Sequence, residues 1–340
     1  MIATMKDIAQ SLGVSVVTVS KVLRNHSDIS AATRKRVLHR MKELNYHPNP
    51  AARALVTGRT NLIGLVVPDL LHPFFAKVAK AISARLRSQE YSLIIASSED
   101  DPHLEKREIE QILARRVDAL IVASTQPNGE NVSRIEQSQV PYVLLDRKMP
   151  GFSASSVGND DVMAGSLATD HLVEVGCKTI AYLGGSAVST AVDRQAGYLA
   201  TLAKHGLSLP SQYVVAHEST DDSGEASGYK GMKHLLSLHP MPDGVFCYND
   251  TIAMGAMRAI FDAGLRIPQD VAIVGCGNFD YDDLLRIPLT SIDQDSEGLG
   301  LNAAKLAIGL TKRKPNAPQR NMLMPVKLVV RASTKRGGPA

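Results

Sequence analysis

Apolar residues recur at helical spacing from the first residues of the chain. Ile8 and Leu12 lie on one face of a predicted short helix that begins after Thr4. Thr4 and Asp7 stand in the register of a capping box, in which each side chain accepts a hydrogen bond from the other residue's backbone. Gly13 follows, and glycine ends helices in the left-handed conformation at little cost. The pattern predicts a helix with defined ends.

Two more helical patterns follow this one. Ser15 is the expected N-cap of the second helix, and its inward positions are Val19, Val22 and Leu23. Ser30 is the expected N-cap of the third, and its inward positions are Val37, Leu38, Met41 and Leu44. Two helices joined by a turn that contains glycine, with a third beside them, predict a helix-turn-helix whose second helix lies in the DNA major groove.

Beyond residue 60, short apolar runs alternate with amphipathic segments. The predicted strands are 62–68, 92–97, 119–124, 142–146, 179–184, 244–248 and 271–275. The predicted helices are 74–89, 102–115, 161–175, 190–205, 224–238, 251–263 and 296–311. This order predicts parallel sheets covered on both faces. About ten strands exceed one comfortable sheet, so we expect two lobes across a cleft, joined near 154–158, 288–295 and 318–324.

The charge is divided unevenly along the chain. Residues 1–60 contain ten Lys and Arg against three Asp and Glu, whereas the remainder has 28 against 31. A basic head on a mildly acidic body is typical of a nucleic-acid-binding module joined to a ligand-binding or catalytic domain, although a solvated helical bundle would also carry charge. The three cysteines lack metal spacing and are expected to be reduced thiols. Without a long apolar run or a signal-peptide pattern, we expect a cytoplasmic protein with no membrane partner.

The segment after the third helix carries a family resemblance. It is N-Y-H-P-N-P-A-A-R-A-L-V-T-G-R-T, and a later segment is C-Y-N-D-T-I-A-M-G-A-M. Together with the helical head, these segments resemble the LacI/GalR family of bacterial transcriptional regulators from Met5 to about Ser333. The resemblance implies an all-α helix-turn-helix head joined to an α/β core of two doubly wound parallel-sheet lobes, as in periplasmic binding proteins. It divides the chain into a head at 1–47, a hinge helix and linker at 48–60, and an effector-binding and dimerisation core at 61–340. Within the core, the first lobe would comprise about 61–158 and 292–322, and the second about 159–291 and 323–334.

The resemblance implies that the second helix reads DNA. Val16, Val17 and Lys21 occupy the positions that set operator choice in the family. The two valines cannot form bidentate hydrogen bonds, so they would pack on thymine methyl groups or exclude other bases, unless they pack within the head instead. The residues expected at phosphates, which position the protein without specifying sequence, are Thr4, Ser15, Thr18, Ser20, Asn25 and His26.

The short segment Ala51 to Leu55 resembles the family's hinge helix, which folds when two subunits meet over the operator. Leu55 would be the wedge that kinks the minor groove, and Arg53 would reach the groove floor or the backbone. The alternative is that Leu55 packs on the core. A helix this short cannot persist alone, so its folding can be coupled to DNA binding and dimerisation.

Ligands of open parallel sheets bind beyond the carboxyl ends of the strands. The effector candidates, some from strand ends and some from the resemblance, are His72, Phe74, Ser124, Asp146, Thr190, Arg194, Asn249 and Gly277. Asp146 would contact the effector or pair with Arg147. Asp250 is expected to cap the helix that follows it, while the expected place of Phe75 is the interior of its lobe.

One position departs from the family pattern. Cys276 and Gly277 stand where many members have an aromatic residue and an aspartate that holds sugar hydroxyls. The missing carboxylate leaves open a larger effector, an anionic effector or one held by other residues. The nearby Asp280, Asp282 and Asp283 are expected to cap and solvate a turn.

Catalytic motifs are missing at useful spacing, so we expect neither an enzyme nor a cofactor nor a bound metal. The prediction is a homodimeric, cytoplasmic transcriptional regulator, most simply a repressor, that binds a double-stranded, pseudo-palindromic operator. A small effector, a carbohydrate or sugar derivative, would control it from the cleft. The alternatives are a solute-binding protein without a DNA role, and a regulator controlled by a corepressor or a protein partner.

Overall fold

The computed structural model describes residues 3–23, 26–46, 54, 58–125, 130–149, 152, 154–185, 188–216, 224–312 and 318–336. The chain divides into two compact units, Met1–Thr60 and Asn61–Ala340. Each unit has its own apolar core, so they are described separately.

In its described residues the first unit contains three helices, α1 (Met5–Leu12), α2 (Val16–Leu23) and α3 (Ala31–Glu43). The predicted capping box is confirmed, because the Thr4 side chain accepts from the Asp7 backbone and the Asp7 carboxylate accepts from the Thr4 backbone. Gly13 ends α1 at φ 65°, in the left-handed region that favours glycine. The sequence therefore determines both ends of α1 locally.

A small apolar cluster holds the three helices together. Its buried members are Ile8, Ala9, Val19, Val22, Val37 and Met41. Ser30 caps α3 by accepting a hydrogen bond from the Thr33 backbone, as expected. The prediction for Leu38 is wrong, since this side chain is 49% exposed. Val37 and Met41 are one turn apart and share the buried face of α3, whereas Leu38 points about 100° away from Val37 around the helix.

The described part of the second unit forms two six-stranded sheets. The first sheet has the order β11-β5-β4-β3-β1-β2. Its strands are β1 (Leu62–Val67), β2 (Ser92–Ser97), β3 (Ala119–Val122), β4 (Tyr142–Leu145), β5 (Ser155–Asn159) and β11 (Asn321–Met324). All five neighbouring pairs in this sheet are parallel, as the sequence predicts.

The second sheet has the order β12-β10-β9-β8-β6-β7. Its strands are β6 (Ile180–Leu183), β7 (Val214–Val215), β8 (Gly244–Cys247), β9 (Ala272–Cys276), β10 (Thr290–Asp293) and β12 (Lys327–Val329). This sheet is not wholly parallel, because β12 pairs antiparallel with β10 at one edge. The short strands β7 and β12 are absent from the sequence prediction, since two or three residues give no readable alternation.

Eight helices flank the two sheets in the described residues. They are α4 (Pro73–Arg87), α5 (Pro102–Ala114), α6 (Glu130–Ser138), α7 (Asp161–Glu174), α8 (Ser189–Lys204), α9 (Gly224–Leu236), α10 (Asp250–Asp262) and α11 (Ser296–Thr311). Seven of them match predicted segments, and α6 does not. Of its nine residues only Asn131, Val132 and Ile135 are buried, which is too weak a stripe to predict a helix.

The chain passes between the lobes after β5, after β10 and after β11. The strand pairing assigns Ile292 and Asp293 to the second sheet, and Leu323 and Met324 to the first, which shifts two of the expected lobe boundaries by about two residues. None of the helices in the described part of the chain is long and apolar enough to cross a membrane.

Candidate DNA-binding face and effector cleft

The N-terminal turn of α2 presents apolar side chains to solvent. Val16 is 40% exposed and Val17 is 63% exposed, while Val19 and Val22 fill the apolar cluster of the head. Val16 and Val17 therefore do not serve as buried packing residues within the head. Isolated exposed apolar residues are common, so their place at the start of α2 is what makes these two notable.

Polar side chains surround this turn. Ser15 caps α2, since its hydroxyl oxygen accepts from the Thr18 backbone at 3.0 Å and lies 2.9 Å from the Thr18 hydroxyl. The Lys21 ammonium lies 2.5 Å from the Asp28 carboxylate, in an exposed pair of the kind that solvent screens strongly. Ser20 is half-buried, whereas Thr4 and His26 are exposed.

Three predicted DNA-contact residues, Asn25, Arg53 and Leu55, lie outside the described residues. Most of the expected hinge, 48–60, lies outside them as well. Within the described part of the hinge, the Gly58 backbone N–H donates a hydrogen bond to the Ala54 carbonyl at 2.8 Å.

In the second unit, Arg194 lies at the centre of a buried ionic network. Its Nε donates to Asp161 at 2.7 Å and its Nη1 donates to the Tyr248 carbonyl at 2.6 Å. The side chains of Arg194 and Asp161 are only 4% and 2% exposed. Burial raises the pKa of Asp161 to about 6, an effect that the Arg194 guanidinium opposes. The pair links α8 to the first residue of α7.

Two glycines allow α7 and α8 to approach closely enough for this pair. A Cβ at Gly165 would lie 2.0 Å from the Arg194 carbonyl, and a Cβ at Gly197 would lie 2.0 Å from the Val162 carbonyl. Any side chain there would separate the helices. These glycines therefore determine the position of the Arg194 backbone relative to α7.

Tyr248, which the sequence reasoning left without a role, completes the second-lobe side of the cleft. Its hydroxyl lies 2.8 Å from the Thr190 hydroxyl, and the Arg194 guanidinium stacks 4.7 Å from its ring centroid. It is the aromatic residue inside the C-Y-N-D segment, so the signal for it was present in the sequence.

On the first-lobe side, Asp146 and Arg147 follow β4. Arg147 does not pair with its neighbour; it donates to Asp100 at 3.2 Å and to the Ser124 carbonyl at 3.3 Å. Within the described residues, Asp146 Oδ1 and Arg147 Nε have no hydrogen-bond partner although both atoms are buried. Burial raises the pKa of Asp146, with Arg194 and Arg147 opposing. A buried, unpartnered acceptor and donor on adjacent residues are suited to a polar ligand.

The Ser124 hydroxyl is directed into the first lobe. It donates to Glu105 at 2.6 Å, and the same carboxylate accepts from the Thr125 backbone at 2.6 Å and from Asn131 at 3.0 Å. Glu105 is fully buried on α5, and its role was missed because a lone glutamate on a helix resembles a surface residue. This carboxylate holds the loop after β3 in place.

His72 lies where the two lobes meet. Its ring packs edge-on against Phe279 of the second lobe at 5.6 Å, and its Nε2 lies 3.3 Å from Asn249 Nδ2. Burial lowers its pKa to about 4, so the ring is neutral at pH 7. Phe74 and Phe75 are both buried in the apolar cluster of the first lobe, with ring centroids 5.1 Å apart.

The expected cap of α10 is wrong by one residue. Asn249, not Asp250, is the N-cap, because its side-chain oxygen accepts from the Ile252 backbone at 2.8 Å. Asp250 is instead fully buried and accepts from the Ser291 hydroxyl at 2.6 Å. The sequence N-D before a helix offers two possible caps, and only the direction of the chain decides between them.

Gly277 has no room for a side chain. A Cβ there would lie 2.6 Å from the Phe279 ring and 2.8 Å from Asp250 Oδ2, and its φ is 142°. Of the three aspartates that follow, only Asp280 and Asp283 are exposed; Asp282 is fully buried and accepts from the Phe279 backbone at 2.8 Å. The expectation that all three are solvated is therefore wrong for Asp282.

Polar contacts also cross the mouth of the cleft. The Lys148 backbone donates to Ser189 at 2.8 Å, and its ammonium lies 2.5 Å from Asp193. Among the described residues, no group of three or more His, Cys, Asp or Glu side chains is arranged to hold a metal ion. Taken together, the contacts of both lobes line the cleft with charged pairs, neutral polar groups and aromatic rings.

Family models match both units of this chain. The one described as bacterial regulatory proteins, lacI family, matches residues 4–49, and the one described as periplasmic binding proteins and sugar binding domain of LacI family matches residues 60–332. The chain is 33% identical over 324 residues to the HTH-type transcriptional regulator GalR of Escherichia coli (strain K12), covering 95% of this chain and 93% of that protein. It is 32% identical over 336 residues to the ribose operon repressor of Halalkalibacterium halodurans, covering 98% of each.

Solved structures agree with these matches. A crystal structure of the lac repressor dimer bound to operator and the anti-inducer ONPF superposes with a TM-score of 0.87 at 29% identity, covering 98% of this chain and 99% of that chain. The likeness extends over the head as well as the two lobes.

Proposed function

Because this chain belongs to the lacI family of bacterial regulatory proteins, we propose that it is a transcriptional repressor that binds a pseudo-palindromic operator as a homodimer. A small effector in the cleft between its lobes controls that binding. The observation that carries the DNA role is the exposed N-terminal turn of α2 within a basic helical head. A lac repressor dimer bound to operator supports the same assembly for this chain.

The recognition roles follow from the side chains at that turn. Val16 and Val17 pack on thymine methyl groups, and Lys21 exchanges Asp28 for a guanine or a phosphate. Thr4, Ser15, Thr18, Ser20, Asn25 and His26 contact phosphates and determine the register of the head on the duplex. Because Asp28 competes for Lys21, this contact contributes less to affinity than a free lysine would.

The hinge provides the second DNA contact. We assign Leu55 as the wedge that opens a base step at the operator centre, and Arg53 as the side chain that follows it into the minor groove. A central step that kinks easily would then be preferred even without hydrogen bonds to its bases.

The charges of the cleft favour a neutral effector. Asp161 is paired with Arg194 and Asp100 with Arg147, which leaves Asp146 as the acid without a cation of its own. An anion would lie beside this carboxylate, whereas a hydroxyl group donates to Asp146 Oδ1 and another accepts from Arg147 Nε. A polyhydroxylated molecule, a carbohydrate or neutral sugar derivative, fits these groups best.

The other candidate contacts complete this assignment. On the second lobe, Thr190, Arg194 and Asn249 present polar groups next to Tyr248. On the first lobe, His72 presents a neutral ring, and its buried Nδ1 has no partner in the described residues. Ser124 and Phe74 act indirectly, by shaping the first-lobe wall, and Gly277 leaves no side chain to compete with the effector.

The protein is proposed to act without catalysis. One relative is named a transcriptional regulator and another an operon repressor, and a regulator needs binding and a change of shape but no reaction. An effector that prefers the form with low DNA affinity releases the operator in proportion to its differential affinity. Induction of this kind is proposed here, with corepression as the opposite outcome of the same measurement.

The test of the DNA role is selection of bound duplexes from a random library by the full chain. We expect a palindrome with a kinkable central step, and binding that weakens steeply as salt rises. Val17→Gln should change the selected bases, whereas Leu38→Gln, which changes another exposed apolar residue of the head, should not. Failure to enrich any sequence would contradict the proposal.

The test of the effector role repeats the selection with pools of neutral sugars and of sugar acids. We expect only a neutral pool to alter DNA binding. Asp146→Asn should abolish that response, while Asp193→Asn, at the mouth of the cleft, should retain it. A response to sugar acids alone would show that the charge argument is wrong while leaving the DNA role intact.

A further inference from the structure

A segment of the second lobe reaches into the first. It follows β9 and comprises Gly277 to Asp283, which we call the strap. Phe279 of the strap is 1% exposed and belongs to the same apolar cluster as Phe74 and Phe75 of the first lobe. Its ring also packs against His72 at 5.6 Å. The strap thus buries an aromatic side chain of one lobe in the core of the other.

A second contact holds the strap to the first lobe. The Lys77 ammonium on α4 lies 2.7 Å from the Asp280 carboxylate, with Asp280 89% exposed. Exposed pairs of this kind contribute little by themselves. The buried Phe279 ring must therefore supply most of the attachment, because apolar area removed from water is the larger stabilising effect.

The base of the strap rests on two buried carboxyl groups. Asp282 accepts from the Phe279 backbone at 2.8 Å, and Asp250 accepts from Ser291 at 2.6 Å. Asp250 Oδ2 and Asp282 Oδ1 are buried and accept from no donor in the described residues. Asp250 Oδ2 lies beside Gly277 of the strap, and Asp282 accepts from Phe279 two residues on, so both carboxyls converge on the same turn and each affects the pKa of the other. Two ionised carboxylates in such a place would repel, whereas one shared proton satisfies both.

We propose that the strap fastens the two lobes together through Phe279, and that a proton shared by Asp250 and Asp282 holds the strap in its closed position. Loss of that proton places two negative charges at its base, and the strap then withdraws Phe279 from the first lobe. The lobes of this regulator are thereby coupled to pH as well as to an effector. The strap acts whether or not an effector is bound, so it does not depend on the effector's identity.

The groups around the pair define the direction of the effect. Burial and the neighbouring acid raise the pKa of Asp250 well above its usual range, and burial raises that of Asp282 to about 6. In the open strap both groups meet water and return to ordinary values near 3.8. The closed strap therefore holds a proton that the open strap has lost, and closure weakens as pH rises from about 4 through the pKa of the closed pair.

Other charged and titratable groups face the pair from every side. They are Arg331 from the C-terminal segment, Tyr281 and Asp283 on the strap, Cys247 at the end of β8 and Cys276 at the end of β9. Burial raises the pKa of both thiols above the neutral range, so neither titrates between pH 5 and 8. Arg331 binds Asn278 and Asp283, and it opposes the rise in the pKa of Asp282. His72, with its pKa near 4, stays neutral over the same range.

The test is native-state hydrogen exchange of the full chain between pH 5 and 8, corrected for the intrinsic pH dependence of amide exchange. It needs neither DNA nor effector, so its failure is distinguishable from failure of the proposed repressor function. Protection is compared in two peptides, one containing the strap and one containing 72–79. In the wild type both peptides should lose protection together, by up to about tenfold per pH unit, as one proton is released on opening.

Asp282→Asn is the decisive variant. Its side-chain oxygen can still accept from the Phe279 backbone and its amide can donate to Asp250, but it cannot lose the proton. Protection should then be flat with pH. The matched control is Asp262→Asn, an exposed aspartate at the opposite end of α10 from Asp250, which should keep the wild-type profile. If circular dichroism shows that Asp282→Asn does not fold, Asp250→Asn takes its place. In either case, the dependence of wild-type protection on pH tests whether opening of the strap releases a proton.

A second pair of variants tests the aromatic contact. Phe279→Ala should lower protection of the 72–79 peptide at every pH, because the first lobe loses the inserted ring. Phe261→Ala, a half-buried phenylalanine packed in the second-lobe cluster, should leave that peptide unchanged. Wild-type protection that does not vary with pH, a control that behaves like Asp282→Asn, or an unaffected 72–79 peptide in Phe279→Ala would each overturn the proposal.

Discussion

The helical head and the two-lobed core are stabilised in different ways. Among its described residues the head has a core of six buried apolar side chains, and the ion pairs and helix caps found there lie at the surface. The core buries ionisable groups, among them Arg194 with Asp161 and the carboxyls of Asp146 and Asp250. The exposed basic side chains of the head interact with the phosphates of DNA. A ligand enclosed between lobes instead binds to polar groups that are already in position inside the protein.

This contrast predicts the largest effect at Arg194. Arg194→Ala leaves Asp161 buried without its cation, and we expect the core to lose about 3–5 kcal/mol of unfolding free energy. Chemical denaturation followed by circular dichroism measures it. Arg258→Ala breaks the exposed pair with Glu225 and should cost less than about 1 kcal/mol. Equal losses in the two variants would show that burial does not distinguish the pairs.

In the head, the corresponding disruption is the loss of a buried apolar side chain. Ile8→Ala removes a fully buried side chain and should cost about 2–5 kcal/mol, which is most of what a helical unit of this size has. Operator binding should disappear while the thermal transition of the core stays where it was. Leu38→Ala, at an exposed position of the same unit, should preserve both. A shift of the core transition in Ile8→Ala would mean that the two units do not unfold independently.

His72 gives the core a pH dependence that comes from a histidine with a buried ring nitrogen, whereas His26 and His39 of the head are exposed. The pKa of His72 is lowered to about 4 when folded, so the unfolded chain takes up its proton first as pH falls below about 6.5. Relative to His72→Gln, the wild type should lose up to about 1.4 kcal/mol per pH unit between pH 6.5 and 4. Denaturation at several pH values checks this. His103→Gln, at an exposed site, should parallel the wild type; parallel curves for His72→Gln would refute the prediction.

The smallest effect is expected at a surface cap of the head. Ser30→Ala removes the acceptor for the Thr33 backbone and should destabilise the head by about 1 kcal/mol. Ser30→Asp restores a capping oxygen and should recover most of the loss. The melting temperature of the head and the affinity for operator DNA are measured for both variants. A loss in Ser30→Asp as large as in Ser30→Ala would exclude capping as the cause.

Much of the fold was readable from the sequence because its signals are local. The caps at Thr4 and Ser30, the left-handed Gly13 and the apolar runs of the central strands each depend on a few neighbouring residues. Seven of the eight core helices follow from their apolar stripes. The misses, α6 and the short strands β7 and β12, are elements whose own residues carry too little pattern.

The candidate site was only partly readable. Arg194 was predicted, but its partner Asp161 was not, and neither was the pairing of Arg147 with Asp100, since a salt bridge between distant segments leaves no trace in either one. Arg147 pairs with Asp100, which lies 47 residues away, instead of with its neighbour Asp146. The buried pair of Asp250 and Asp282 was predicted as a cap and a solvated turn for the same reason.

The sequence by itself determined the helix-turn-helix head, the two-lobed α/β architecture and the family, because periodicity, caps and motifs are properties of consecutive residues. Only the tertiary structure decided which charges are buried, which carboxyls share a site and which aromatic ring crosses between lobes. These depend on how segments far apart in the chain approach one another, as where Gly165 and Gly197 bring α7 and α8 together. The free energy of a buried charge depends on its surroundings in space, and those surroundings exist only once the chain has folded.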